Sequence, residues 1–180
     1  MPRLVERLLI VVAALAISIA VIALLSGGLL AGRDSPGVSG AAAGPGVVYR
    51  DQGDAVLKLG ELEPEYDSVP PTSGPHVPTP VTAGGAMLTN DQLLTALAAG
   101  NVVFMYGSAA PPPGLSTLAA AVAAPFTPAL AASGEAVILA YRPQITGVVA
   151  LAWTRMLQTA TGSDPSLRAF ALAWLGRGAP

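Results

Sequence analysis

His76 is the only imidazole in the chain, and it closes the run Pro70-Pro71-Thr72-Ser73-Gly74-Pro75-His76, the most distinctive stretch of the sequence. An imidazole can ligate a metal or carry a proton near neutral pH. A closed metal site needs about four donors, and His76 has no second strong ligand within sequence reach. The chain contains no cysteine, which excludes thiol catalysis, disulfide exchange, iron–sulfur clusters and thiolate-bound zinc. A single histidine likewise excludes any site built from two histidines of one chain. Met87, Met105 and Met156 are the soft donors left, and with His76 they would suit Cu(I). Met105 falls in an apolar run, where methionine commonly fills gaps. Core packing is therefore the reading for the methionines. For His76 the reading is a loop residue that holds a proline-rich turn by hydrogen bonds, with a metal ligand as the alternative.

Other candidates are weaker. Ser73 precedes Gly74, but the G-x-S-x-G nucleophile pattern is missing and no acid–base partner can be identified. Six acids crowd Asp51–Asp67 without the spacing of a calcium loop, as expected of a solvated face. The arginines are scattered singly, with no basic stripe to follow a phosphate backbone, so nucleic acid is not an expected partner. Neither an enzyme nor a cofactor is expected.

The elements that position these residues can be read from caps and periodicity. Val47-Val48-Tyr49 and Val56–Leu59 are short β-prone runs, and the prolines between Pro64 and Pro80 demand an extended loop. Thr89-Asn90-Asp91-Gln92 has the pattern of a capping box, Leu93, Leu94 and Leu97 follow on one helix face, and Gly100 is the stop. Val102–Tyr106 predicts a buried strand and Leu115–Ala124 a helix, followed by a stretch broken by Pro125 and Pro128. Ala136–Tyr141 and Gly147–Trp153 predict two strands joined by a hairpin connection at Arg142–Thr146. Ser163-Asp164-Pro165 caps a last helix whose apolar face is Leu167, Phe170, Ala171 and Trp174. Trp153 and Trp174 both follow apolar patterns and are expected in the core. The order implies an α/β (α+β) domain, a small mixed sheet with flanking helices in two or three layers. It is close to the element order of a thioredoxin-like fold, in topology only, since the redox dithiol is missing.

Ahead of this domain lies an uninterrupted apolar run, Leu8–Ala31. At 1.5 Å per residue its 24 residues would span about 36 Å as a helix, enough for a hydrocarbon core of about 30 Å. It is too long for a signal-peptide core, and Leu29-Leu30-Ala31 is a poor cleavage site. The expected organisation is a cytoplasmic tail over 1–7, a transmembrane helix over 8–31, a flexible linker over 32–46 and an extracytoplasmic domain over 47–180. Arg3 and Arg7 flank one end and Arg33 the other, a slight bias toward the N-terminus inside. The implied location is the cell membrane, with the bilayer as a partner through Leu8–Ala31.

The Pro70–His76 run resembles the signature of a bacterial membrane-anchored family, domain of unknown function 3105. That family carries the same Pro-Pro-Thr-Ser-Gly-Pro-His loop, then a Gly-aromatic element and a His-x-Leu-Glu-His-Gly helix leading into a Val-Val strand that ends in tyrosine. An Ala-Trp-Gly-Arg element and a C-terminal helix with a terminal proline follow. Here Gly84-Gly85 stands near the second element, Thr95–Gly100 and Val102–Tyr106 match the helix and strand, Ala152-Trp153-Thr154-Arg155 the fourth element, and Pro180 the end. The resemblance spans roughly 47–180. It implies a metal-capable helix, since histidines at i and i+4 share one face. This chain instead has Thr95, Ala98 and Ala99 at the histidine, glutamate and histidine positions. Loss of those ligands points to a non-enzymatic structural, assembly or accessory subunit of a membrane complex. The alternative is a copper- or zinc-handling domain using His76 with methionine or partner-chain ligands.

Overall fold

The computed structural model describes residues 44–180. The tail, the apolar run Leu8–Ala31 and most of the linker lie outside the described residues. Among the described residues, no helix is long and apolar enough to cross a membrane.

Five strands form one mixed sheet in the order β1-β5-β4-β2-β3: β1 Val47–Val48, β2 Val102–Tyr106, β3 Val137–Tyr141, β4 Val148–Ala152 and β5 Arg155–Thr159. β2 pairs in parallel with β3 and antiparallel with β4; β5 is antiparallel to both β4 and β1. Four helices cover it: α1 Asn90–Ala99, α2 Leu115–Val122, α3 Pro128–Ala132 and α4 Pro165–Trp174. Alternation along the strands sends Val103, Met105, Ile138, Val149 and Leu151 to one face, under α1 and Ala131 of α3. Phe104, Tyr106, Val148 and Ala150 go to the other face, under Leu115 of α2 and Leu167, Phe170 and Trp174 of α4. All five positions of β2 and of β4 are buried. That follows from a sheet covered on both faces, where strands read as continuous apolar runs. The expected mixed-sheet α/β domain is thus present, in three layers.

Local chemistry sets the helix ends. Thr89 Oγ1 accepts from Gln92 N–H at 3.2 Å while Gln92 Oε1 accepts from Thr89 N–H at 3.1 Å. Gly100, at φ 108°, ends α1. The C-terminal tail completes that end: Gly176 N–H donates to Gly100 O at 2.8 Å and Ala179 N–H to Ala98 O at 2.9 Å. Carbonyls that a helix leaves unpaired are thereby satisfied. Asp164 caps α4 by accepting from Ser166 N–H and Oγ, and these two bonds hold its carboxyl below the usual range. The exposed edge of β3 is covered by a short segment, through Gly85 N–H to Leu139 O and Tyr141 N–H to Ala86 O.

Two expectations need correction. β3 and β4 are not a hairpin, because β2 lies between them and pairs with both. The Arg142–Thr146 connection instead passes over the end of β2, where Arg142 N–H donates to Tyr106 O at 2.8 Å. It passes so near that a Cβ on Gly107 would collide with Ile145 O. The strand β5 was not expected at all. It forms a tight hairpin with β4 across Trp153-Thr154, with Ala152 opposite Arg155. The proline-broken stretch also contains a helix, α3, because Thr127 caps it and Pro128 sits in its first turn. Val56–Leu59 contributes only one bridge, Val56 to His76.

Thr154 carries the turn at φ 58°. A β-branched residue in the left-handed region costs roughly 1–2 kcal/mol, a cost that glycine escapes. Thr154→Gly is therefore expected to raise the unfolding free energy by about 1 kcal/mol, the strain relief less glycine's entropy. Chemical denaturation measures this, and a lower midpoint would mean that the threonine side chain holds the turn.

Candidate functional site

The signature loop is a buckle whose hydroxyls are bonded within the protein. Ser73, fully buried, donates from Oγ to Arg50 O at 3.1 Å and accepts from Gln52 N–H at 3.1 Å. Ser68 and Thr72, also buried, bond through their hydroxyls at 3.3 Å, and Thr72 O accepts from Thr154 N–H at 3.0 Å. Tyr49 N–H donates to Thr154 O, so the β4–β5 turn grips both the loop and the chain after β1. Gly74 has φ 136°, and a Cβ there would meet the Tyr66 ring at 2.7 Å. The Tyr66 hydroxyl donates to Pro75 O at 2.9 Å, and burial, then the charges of Glu63 and Asp91, push its pKa up to about 12. The Val69–Pro70 peptide is cis.

His76 is 4% exposed. Its Nδ1 lies 2.9 Å from Gly74 O; a carbonyl only accepts, so Nδ1 is the protonated nitrogen. The His76 backbone donates to Ala55 O and accepts from Leu57 N–H, fastening the Val56 segment. The next residues strap the loop to α1: Val77 N–H donates to Asp91 Oδ1 at 2.8 Å and Thr79 N–H to Thr95 Oγ1 at 2.9 Å. Asp91 and Thr95 stand four residues apart, on one side of the helix.

The ligands weighed in the sequence are not gathered. Met105 is fully buried in β2, Met87 is 66% exposed beside the edge of β3, and Met156 sits on β5, where its sulfur accepts from the Tyr49 hydroxyl at 3.8 Å. Among the described residues, no three His, Cys, Asp or Glu side chains are grouped so as to hold a metal ion.

A cleft of about 500 Å³ lies beside α1. Thr95 and Ala99 line it, facing Pro78 and Pro80 of the strap and Pro128 and Ala132 of α3. No charged side chain lines it, and the Thr95 oxygen already accepts from Thr79. Neither Ala98 nor His76 is part of its wall. The cleft can receive an apolar group; its polar side chains are the hydroxyls of Thr82 and Thr95, with no histidine, carboxylate or methionine beside them.

Asn101 escaped the sequence reading. It is fully buried between α1, α3 and β3, with Nδ2 donating to Ala96 O at 2.9 Å and Ala131 O at 2.7 Å, and Oδ1 accepting from Ala136 N–H at 2.9 Å. Its position just past the Gly100 stop is the one local signal, since an asparagine there can bond the exposed ends of neighbouring elements.

The profile of the family described as protein of unknown function (DUF3105) matches residues 61–179. The chain belongs to this family. The match contains the signature loop, the α1 positions 95–99 and the Trp153-Thr154 turn. No curated protein and no solved structure matches the chain.

Proposed function

We propose that this chain is a membrane-anchored extracytoplasmic protein without catalytic activity, a structural, assembly or accessory subunit of a membrane complex. One observation carries the non-catalytic part: the signature loop's hydroxyls and the Nδ1 of His76 are bonded within the fold, while the cleft beside α1 is lined by alanine, proline, valine and threonine. Chemistry on a substrate needs a polar group aimed at it, with a second group to position the first. The cleft offers threonine hydroxyls with no acid or base beside them. The anchor is supported by the length and apolarity of Leu8–Ala31.

Separation of membranes tests the anchor. The full chain is expected to stay with the bilayer through an alkaline carbonate wash and to keep Met1 or Pro2 at its N-terminus. Leu15→Arg should release much of it, since arginine at a helix centre costs roughly 2.5–3.5 kcal/mol on insertion. A soluble product starting after Ala31 would overturn this part of the proposal. The rival reading is copper or zinc handling by His76 with methionine or partner-chain ligands.

A further inference from the structure

A surface turn holds two leucines out in water. Lys58–Glu61 is closed by Glu61 N–H donating to Lys58 O at 3.0 Å, and Glu61 Oε2 accepts from Lys58 N–H at 2.7 Å. Leu59, at the tip, is 94% exposed, and Leu62, just beyond it, is 92% exposed. Both ends of the turn are tied down. Leu57 N–H donates to His76 O at 2.9 Å, and Glu63 Oε2 accepts from Asn90 Nδ2 at 2.8 Å. The leucines thus stand out on a fastened turn instead of folding back onto the domain, and each forgoes the gain that burial would bring.

A hollow of matching chemistry lies on the same side of the sheet. The cleft beside α1, about 500 Å³, falls within the roughly 300–1,000 Å³ of sites that hold ligand-sized groups. Its rim is open, with Pro78, Pro80, Ala99 and Ala132 exposed. No charged side chain lines it, so a leucine can enter without stripping water from an ion. Turn and cleft both adjoin α1. Glu63 holds Asn90, the first residue of that helix, while Thr95, Ala96 and Ala99 of its second half line the cleft. The ten residues Asn90–Ala99 span about 15 Å. A two-fold contact needs its projecting and receiving groups on one face of the same chain. This face carries both.

We infer that this face pairs two copies of the chain about a two-fold axis, with the Leu59–Leu62 turn of each seated in the α1 cleft of the other. The occupant is a second copy because an apolar knob and an apolar hollow lie side by side on one chain, and a two-fold rotation sets each against its counterpart. The inference stands apart from the membrane anchor, since every residue it uses lies within the described domain.

The test uses the full chain in mild detergent. Sedimentation equilibrium is expected to show monomer and dimer. Leu59→Ser/Leu62→Ser should raise the dissociation constant at least tenfold; it alters two exposed side chains, and circular dichroism checks that the fold is kept. Ala99→Leu approaches the contact from the other side, filling the cleft at an exposed position, and should weaken the dimer as well. Association through the apolar run Leu8–Ala31 would ignore all three changes. Because the chain has no cysteine, the contact can also be read directly. Leu59→Cys and Ala132→Cys chains, mixed in equal amounts with a short bismaleimide, are expected to cross-link to each other. Leu59→Cys with Leu172→Cys, exposed on α4 across the sheet, is the control and should not. A chain that stays monomeric, a dimer unmoved by the leucine and cleft substitutions, or cross-linking no stronger than the control would overturn the inference. So would species larger than dimers built through the same leucines, because reciprocal pairing closes at two.

Discussion

Trp174→Ala is expected to lower the unfolding free energy by about 3–5 kcal/mol, the range for truncating a buried aromatic ring. The ring is 7% exposed and belongs to the core cluster of Leu167, Phe170, Phe104 and Val102 between α4 and the sheet. It also donates from Nε1 to Pro45 O and seats Gly44. Its loss removes the packing of α4 and the dock of the chain's entry at one stroke. Trp174→Phe keeps most of the apolar bulk and should cost a fraction of this. Urea titration followed by circular dichroism measures both. An unchanged midpoint for Trp174→Ala would mean that α4 is peripheral to the fold.

Asn101→Ala is expected to cost about 2–4 kcal/mol, chiefly because Ala136 N–H is left buried without an acceptor. Ala96 O and Ala131 O would each keep another donor, Asn101 N–H for the first and Gly134 N–H for the second. The orientation of the amide follows from its partners, since two carbonyls can only accept and one N–H can only donate. Asn101→Asp separates the two halves of the network. It keeps the acceptor but turns a carboxylate toward two carbonyls, so it should be at least as unstable at neutral pH and recover in acid. Equal stability of Asn101→Ala and the parent protein would show that the three elements meet without this hub.

What the sequence made legible divides along physical lines. α1, β2 and α4 were readable because their ends carry local signals: the Thr89–Gln92 box, the Gly100 stop and the Asp164-Pro165 cap. β5 was not, because Arg155–Thr159 lacks a sustained apolar alternation and its turn, Trp153-Thr154, holds none of the residues that usually mark a hairpin. The family's Ala-Trp-Gly-Arg element was the available hint, since a glycine at position 154 would fit the φ of 58° that Thr154 adopts. The relation of β3 to β4 was hidden for a different reason. Strand adjacency is a long-range choice, and a six-residue connection can cross one strand end as readily as it can turn a hairpin. The buckle was visible as a motif but not as a device, because its function lies in bonds to Arg50, Gln52, Asp91 and Thr95. The last residues of the expected linker, Gly44–Gly46, likewise look like tether in sequence and prove to pack on Trp174 and Phe170.

Thr95 and Ala99 line a cleft beside α1, and the Thr95 hydroxyl accepts from the strap. In the reading proposed above, packing stands at the positions where the resemblance would place metal ligands.

Calorimetric titration of the full chain with Zn²⁺ and Cu²⁺ tests this central claim most directly. The wild-type protein is expected to bind neither ion more tightly than a single surface histidine does. His76→Ala should change only stability, by about 0.5–1.5 kcal/mol for the hydrogen bond it loses. Thr95→His/Ala98→Glu/Ala99→His is expected to create a stoichiometric site, since histidines at i and i+4 can share one ion. A stoichiometric, submicromolar site in the wild-type chain that vanishes in His76→Ala would contradict the account and make metal handling the function.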